Sequence, residues 1–415
     1  MMRCARLHLQ RQGCSVPHVP LAAAFASSSD KPRRHALSLS TRPKASEMTT
    51  IVVEGAPALL SAADSPSPSA EASTVPHSRS TGRQSTLQQL KEALAQDLQV
   101  MFSGGAINGS IYSKDIVFQD PVTYVVGLDM YKAVISFLGL FNVKLHLHDI
   151  HVATDYLITA RWTMDMTVKV LPWRPQLSFT GTTQYTVDPD VGYVTQHVDT
   201  WDALSNQGFL SLEGLAFVLR QALSLQLTPS IETPEYLVLV KKADYEIRQL
   251  SPFLVATTQS GTHSGPASGM GFTTLAGYIF GGNKRGEQLE MTTLVFSTVQ
   301  PGSKSTSMEF VMERRFTDLS QLPEPNDPQN VAKGRCDGGI WAVARFSGWP
   351  LDRDVLIAER ELRDALCRDG LQAAPGYRLA RYNEPTTPPW LRRNEVLIQL
   401  PDYQWPPKAS EASKV

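Results

Sequence analysis

Three histidines stand close together in the stretch "LHLHDIH": His146, His148 and His151. In an extended strand, residues 146 and 148 point to the same side, the spacing a two-histidine metal site would use. The same strand puts Phe141, Val143, Leu145 and Leu147 on its other face. Asn142, Lys144, His146 and His148 therefore read as the solvent side of an amphipathic strand. No further ligand of the zinc type follows, and no metal site is expected. Asp120, just before Pro121, is a candidate acid or base, set against the plainer reading of a turn carboxylate. Asp199 and Asp202 flank Trp201 and could hold an arginine without doing chemistry. No G-x-S-x-G, Walker or dinucleotide pattern occurs, and "GGNKRG" lacks the spacing of one. No catalytic residue is assigned, and the chain is not expected to be an enzyme.

A second constellation is apolar. "GPASGMGFTTLAGYIFGGNKRG" carries Met270, Phe272, Leu275, Tyr278 and Ile279 on a helix, with Gly271 and Gly277 allowing close approach. Such a stripe is ordinarily core. A planar apolar ligand such as a porphyrin would also use a wall of this kind, with cations for its carboxylates. Arg285, Arg392 and Arg393 are the candidate cations. The last two leave a stiff segment, "RYNEPTTPPWLRRNEVLIQL", in which Pro385, Pro388 and Pro389 exclude a central strand. The expected ligand-binding residues are Met270, Phe272, Leu275, Tyr278, Ile279, Arg392 and Arg393.

The elements that must position these groups fall into two sets. "STLQQLKEALAQDLQVMFSGG" sets Leu87, Leu90, Leu94 and Leu98 on one helical stripe, with a capping-box pattern at Ser85 and Gln88. A second helix follows in "LDMYKAVISFLGLF". Four alternating segments then predict an antiparallel meander, and "GFLSLEGLAFVLRQAL" predicts another helix. Beyond Pro234 the order strand, strand, helix, strand occurs twice, with the second helix in "LDRDVLIAERELRDALCRDG". That tandem order suggests a pseudo-twofold domain.

A chain of 415 residues is too long for one ordinary core. Its formal net charge of −1 gives no basic footprint for nucleic acid. The beginning differs from the rest. Up to Ser46, Arg3, Arg6, Arg11, Lys31, Arg33, Arg34, Arg42 and Lys44 face a single acid, Asp30, and Ser, Ala and Pro fill the gaps. This is the composition of an organelle transit peptide followed by a low-complexity linker. Cys4 and Cys14 lie in that leader, so Cys336 and Cys367 remain, with no disulfide framework or cysteine zinc site. The expected organisation is a transit peptide and linker over 1–84, an α+β domain over 85–225, a linker over 226–232, a second domain over 233–403 and a disordered tail over 404–415.

Taken in order, "TPEYLVLVKKADYEIRQL", "GFTTLAGYIFGGN", "LEMTTLVF", "AVARFSGWP" and the proline segment resemble the SOUL/heme-binding protein family. The resemblance implies a distorted antiparallel β-barrel with two helices. It also implies tetrapyrrole (heme) binding in a groove lined by the first helix, near the proline loop, without a universal axial ligand. "SIYSKDIVFQDP", "ARWTMDM", "LPWRPQLSFTG" and "HVDTWD" resemble a plant and algal domain of uncharacterised function, which is similar to the nuclear-transport-factor-2-like α+β cone. The pair behind an organelle leader resembles plastid two-domain members of the SOUL family. The resulting expectation is a chloroplast carrier or buffer of heme or a related tetrapyrrole, with a tetrapyrrole-pathway protein as a further partner. Two alternatives stand beside it. One is an enzyme in the N-terminal cone using Asp120; the other is a ligand-free module docking at a thylakoid or plastoglobule surface.

Overall fold

The computed structural model describes residues 78–101, 107–188, 190–209, 211–226, 228–260, 266–300 and 306–406. The expected leader, most of its linker and the chain beyond Pro406 lie outside the described residues.

The N-terminal part runs α1 (Ser78–Val100), β1 (Tyr112–Gln119), β2 (Tyr124–Val126), α2 (Leu128–Leu138), β3 (Asn142–Thr154), β4 (Leu157–Thr167), β5 (Gln176–Val187), β6 (Val194–Trp201) and α3 (Leu212–Ala222). Its six strands form one sheet in the order β2-β1-β6-β5-β4-β3. The meander β3–β6 is as expected. β1 is an addition: it pairs parallel with β6, and antiparallel with the short β2. α1 begins at Ser78, upstream of the Ser85 capping pattern, so Ser85 lies within the helix rather than at its start.

Period-two alternation gives the sheet one apolar face. Ile158 and Ala160 of β4, with Tyr185 and Val187 of β5, meet the Leu87, Leu90, Leu94 and Leu98 stripe of α1 and Tyr131 and Ile135 of α2. Farther along the same face, Trp162, Phe179 and Trp201 pack with Phe217 of α3. All three helices thus cover one side of the sheet, the α+β cone arrangement.

The C-terminal part runs β7 (Tyr236–Lys241), β8 (Glu246–Leu250), β9 (Phe253–Ser260), α4 (Pro266–Ile279), β10 (Val295–Val299), β11 (Thr306–Val311), β12 (Ala332–Cys336), β13 (Gly339–Phe346), α5 (Asp352–Arg368), β14 (Tyr377–Arg381) and β15 (Asn394–Gln399). These strands form a nine-stranded antiparallel sheet, β12-β9-β11-β10-β14-β15-β13-β8-β7. Leaving out β7, the order reads the same from either end when β8–β9–α4–β10–β11 is exchanged with β12–β13–α5–β14–β15. The pseudo-twofold is therefore present, with one more strand per repeat than the sequence pattern suggests. The first strand of each repeat pairs within the other half: β8 with β13, and β12 with β9.

Alternate residues feed different cores. Leu254 and Ala256 of β9 lie under α4, whereas Phe253 and Val255 face away. Ala342, Val396 and Ile398 lie under α5, whereas Trp341, Val343 and Leu397 face away. The residues facing away come from both halves and make one cluster, so the sheet curls around it as a distorted barrel.

The outer face of the N-terminal sheet meets the edge strand β7. Thr163 Oγ1 donates to Val238 O (2.6 Å), Arg161 Nη2 to Leu239 O (3.1 Å), and Lys241 N to Thr180 Oγ1 (2.7 Å). Side chains thereby satisfy an edge that would otherwise present open hydrogen-bonding groups. Trp405 was expected in a disordered tail. It instead packs edge-on to His148 (5.1 Å) and under the Arg161 guanidinium (5.3 Å).

Candidate functional site

α4 presents two unlike faces. Leu275, Tyr278 and Ile279 are buried against Leu254, Ala256, Met308 and Phe310, and the Tyr278 hydroxyl donates to Pro323 O at 2.7 Å. Gly271 belongs to this inner face, where an added Cβ would meet Ser260 and Thr258 at 3.4 and 3.5 Å. The cavity at the C-terminal end of the helix, bounded by Ile279, Leu294, Val295 and Phe310, is about 10 Å³, room for one water at most. Leu275, Tyr278 and Ile279 are therefore core, and the expectation that they form a ligand wall is corrected. Their side chains fill the space between helix and sheet.

The outer face is apolar and uncovered. Met270 is 72% exposed, Phe280 62% and Phe272 37%, the last lying edge-on to Phe310. Thr273 and Thr274 turn their hydroxyls back to Gly269 O and Met270 O, both at 3.0 Å. At Gly269 and Gly277 an added Cβ would meet nothing within 4 Å. A flat, open strip therefore runs along the helix. Of the expected wall, Met270 lies here and Phe280 joins it, while Phe272, two residues on, sits at the border with the inner face against Phe310.

Arg392 and Arg393 do not join that strip. Arg393 is 4% exposed and donates through Nε (2.9 Å) and Nη2 (2.7 Å) to Glu395, and through Nη1 to Thr228 (2.6 Å). Glu395 also takes both terminal nitrogens of Arg248 (2.8 and 3.0 Å) and the Tyr382 hydroxyl (2.7 Å). Against the cost of burial, the Arg248 and Arg393 charges hold the Glu395 carboxyl well below the usual carboxylate range. Arg392 lies over the Trp349 ring (3.7 Å) and donates to the carbonyls of Thr387 and Pro385. Both arginines thus hold the proline segment in place. That segment is a braced lead into β15.

The guanidinium beside α4 is that of Arg381, which sequence reasoning did not single out. It reaches from β14 to Ser297 on β10 and to Ser268 on α4, and burial pushes its pKa down to about 10. Residues 379 and 381 share a strand face with the α5 contact of Leu379, so parity within "YRLARY" carries the signal. At the other end of α4, the exposed Arg285 donates to Gln321 O at 2.9 Å.

In the N-terminal part Asp120 is a turn residue. Its Oδ1 accepts from Val122 N (2.8 Å) and Thr123 N (2.5 Å). Burial nonetheless pushes its pKa up to about 6, with Asp199 adding to the shift. Asp202 holds Arg161 (2.7 Å) as expected, but Asp199 engages His197 Nε2 (3.0 Å). The other nitrogen of His197 meets the Tyr131 hydroxyl at 2.9 Å, and Tyr112 donates to Asp97 at 2.7 Å. This buried polar cluster was missed, although His197 and Asp199 stand two apart on one strand face. His151 pairs with Asp149 (2.6 Å) and His148 with Thr163 (2.8 Å). His148 is thus part of the contact with Trp405, which corrects its assignment to the solvent face. Among the described residues no cluster has the makeup of a metal site.

Residues 231–399 match the model of the SOUL heme-binding protein family, and residues 88–197 match that of an uncharacterized conserved protein family (DUF2358). No curated protein matches the sequence. Similar solved structures include the Δ5-3-ketosteroid isomerase from Mycobacterium sp., at 20% identity over 27% of this chain and 92% of that one, with a TM-score of 0.24. An LEH-like epoxide hydrolase of M. tuberculosis matches at 14% identity over 33% and 95%, with a TM-score of 0.25. The epoxide hydrolase/cyclase-like enzyme SalBIII matches at 15% identity over 28% and 92%, with a TM-score of 0.26. These likenesses carry no inference about chemistry. The C-terminal part of this chain thus carries a region, 231–399, that matches the SOUL heme-binding family, and it follows an α+β cone whose own matching family is uncharacterized.

Proposed function

We propose that the protein carries or buffers heme or a related tetrapyrrole in the plastid, holding it on the outward face of α4. The observation that supports this reading is the uncovered strip of Met270, Gly277 and Phe280. A macrocycle laid there removes apolar surface from water at about 25 cal/mol per Å², and the two glycines let it approach the backbone. Arg285, exposed beyond the C-terminal end of the helix, stands where a carboxylate at the ring edge could find a charge-assisted hydrogen bond. The plastid location rests on the leader composition, and import of the labelled full chain into isolated chloroplasts tests it.

The Asp120 alternative is weaker. Its Oδ1 already accepts two loop N–H groups, a role that fixes the turn after β1.

Gly277 offers a clean test of the binding face. Gly277→Glu places a carboxylate in the middle of the strip at a position where the Cβ meets nothing within 4 Å, and glutamate is a better helix former than glycine by about 0.5–1 kcal/mol. The full chain should show a saturable Soret change on titration with hemin. Gly277→Glu should keep the melting midpoint and weaken binding by about tenfold or more. Wild-type affinity in a folded Gly277→Glu variant would remove the ligand from this face.

A further inference from the structure

Two turns and the end of a helix meet at one end of the N-terminal sheet. β3 begins at Asn142 opposite Thr167, the last residue of β4, and Thr167 in turn faces Gln176, the first of β5. The α2–β3 turn and the β4–β5 hairpin therefore lie side by side. The second half of α3 is fastened to them: Trp173 Nε1 donates to Ala222 O (2.7 Å), and Ser178 N to Gln221 Oε1 (2.9 Å). Leu138, Phe141, Val168 and Val218 from these segments pack on one shared cluster, so this end has its own core.

Five large apolar side chains nevertheless point away from that core. Val170 at the hairpin tip is 83% exposed, Leu140 74%, Phe137 59%, Leu223 58% and Leu219 54%. On α3 the division is clear. Phe217 is buried against Phe179 and Trp201, while Leu212, Leu215, Leu219 and Leu223 recur at helical spacing on the opposite side. An apolar face this large on a domain that already has a full core marks a docking surface.

Charge identifies the occupant. Lys169 and Arg174 stand in the β4–β5 hairpin and Arg220 on the second half of α3; of the nearest acids, Asp165 lies opposite Lys144 in the sheet and Glu213 accepts from Ser205 N and Asn206 N. Apolar projections flanked by cations, with no acid in the hairpin tip or the second half of α3, have the makeup of an interfacial membrane anchor. The same charge pattern disfavours a second copy, because a twofold pairing of this end would set like charges against one another. The surface continues toward the C-terminal domain. Gln226 donates to Ser347 (2.5 Å), and the adjoining loops, joined by Gly348 N to Pro389 O (2.9 Å), expose Trp349 and Trp390. Tryptophan favours the boundary between headgroups and acyl chains.

We propose that this end of the N-terminal domain seats the protein peripherally on an anionic lipid surface, with Val170, Leu219 and Leu223 entering the headgroup boundary and Lys169, Arg174 and Arg220 contacting the headgroups. The claim is independent of the tetrapyrrole reading.

Vesicle flotation of the full chain tests it, with phosphatidylcholine alone and with added phosphatidylglycerol. The wild type should float with the anionic vesicles and be released by salt. Arg174→Glu and Arg220→Glu should each lower partitioning by about fivefold or more. The double variant Leu219→Gln/Leu223→Gln should stop flotation while keeping its melting midpoint and its hemin titration. A tryptophan placed at Val170 should be quenched by brominated acyl chains. Failure of the wild type to float, or flotation of the double leucine variant, would overturn the proposal. So would sedimentation showing a wild-type dimer that the same variant converts to monomer.

Discussion

Arg393→Met separates two roles for one guanidinium. As a ligand contact, Arg393 would matter to hemin affinity and little to folding. The structure gives it the reverse weighting. Its side chain is buried, it makes two hydrogen bonds to a fully buried Glu395, and it lies 3.9 Å from the centre of the Tyr382 ring. Removing one partner of a buried pair costs about 3–5 kcal/mol, because the remaining charge stays out of water. Glu395 keeps the fork of Arg248 and the Tyr382 hydroxyl, so the loss should lie near the lower end, about 3 kcal/mol. That is a large part of a typical stability of about 5–15 kcal/mol, yet it leaves the native state populated at room temperature. With a urea dependence of about 2 kcal/mol per M, the midpoint of the C-terminal transition should fall by about 1.5 M. Urea titration followed by circular dichroism measures this, and hemin titration without urea should match the wild type. An unchanged midpoint with weakened hemin binding would refute the reasoning and return Arg393 to the ligand.

Three further outcomes follow from named contacts. Because the folded pKa of Asp120 is raised to about 6 from 3.8, folding favours its proton. Its contribution is complete below pH 3.8 and lost as pH rises through 6, a penalty of about 3 kcal/mol at neutral pH that Asp120→Asn should remove, as urea midpoints across that window would show. Gly181→Ala would set a Cβ 2.2 Å from Thr200 O and 2.9 Å from the Trp162 ring, so the N-terminal melting transition should drop by about 3 kcal/mol or more. Trp405→Ala removes the ring contacts to His148 and Arg161, and the full-length chain should lose about 1–2 kcal/mol in urea unfolding.

The parts of the fold legible in the sequence were those with an uninterrupted period. β3–β6 alternate cleanly over long runs, and α5 keeps Val355, Ala358, Leu362 and Leu366 on one stripe. β12, "AKGRC", has no such signal because it is short and mostly polar, and its place is set by pairing with β9. α4 defeated the reading differently. It is apolar on both sides, so its pattern shows a helix without showing which side meets the sheet. The arginines failed for a local reason: Arg393 turns to Glu395 two residues on and Arg392 to carbonyls five and seven residues back, and side-chain direction is not written in residue types. His148 was misread because the surface covering it comes from Trp405, near the other end of the chain.

The crossing of β8 and β12 into opposite halves bears on how the C-terminal domain can assemble. Each five-element repeat lacks a sheet edge that only the other supplies, so neither is a folding unit. The pairing of β8 with β13 joins residues on either side of α4 and of β9–β12, and such non-local closure slows folding. A chain cut between β11 and β12 should therefore yield two fragments that are unfolded apart and complementary when mixed. The same topology is what two copies of one repeat would form by exchanging their first strands about a twofold axis. The domain has the architecture of a strand-swapped dimer written into a single chain.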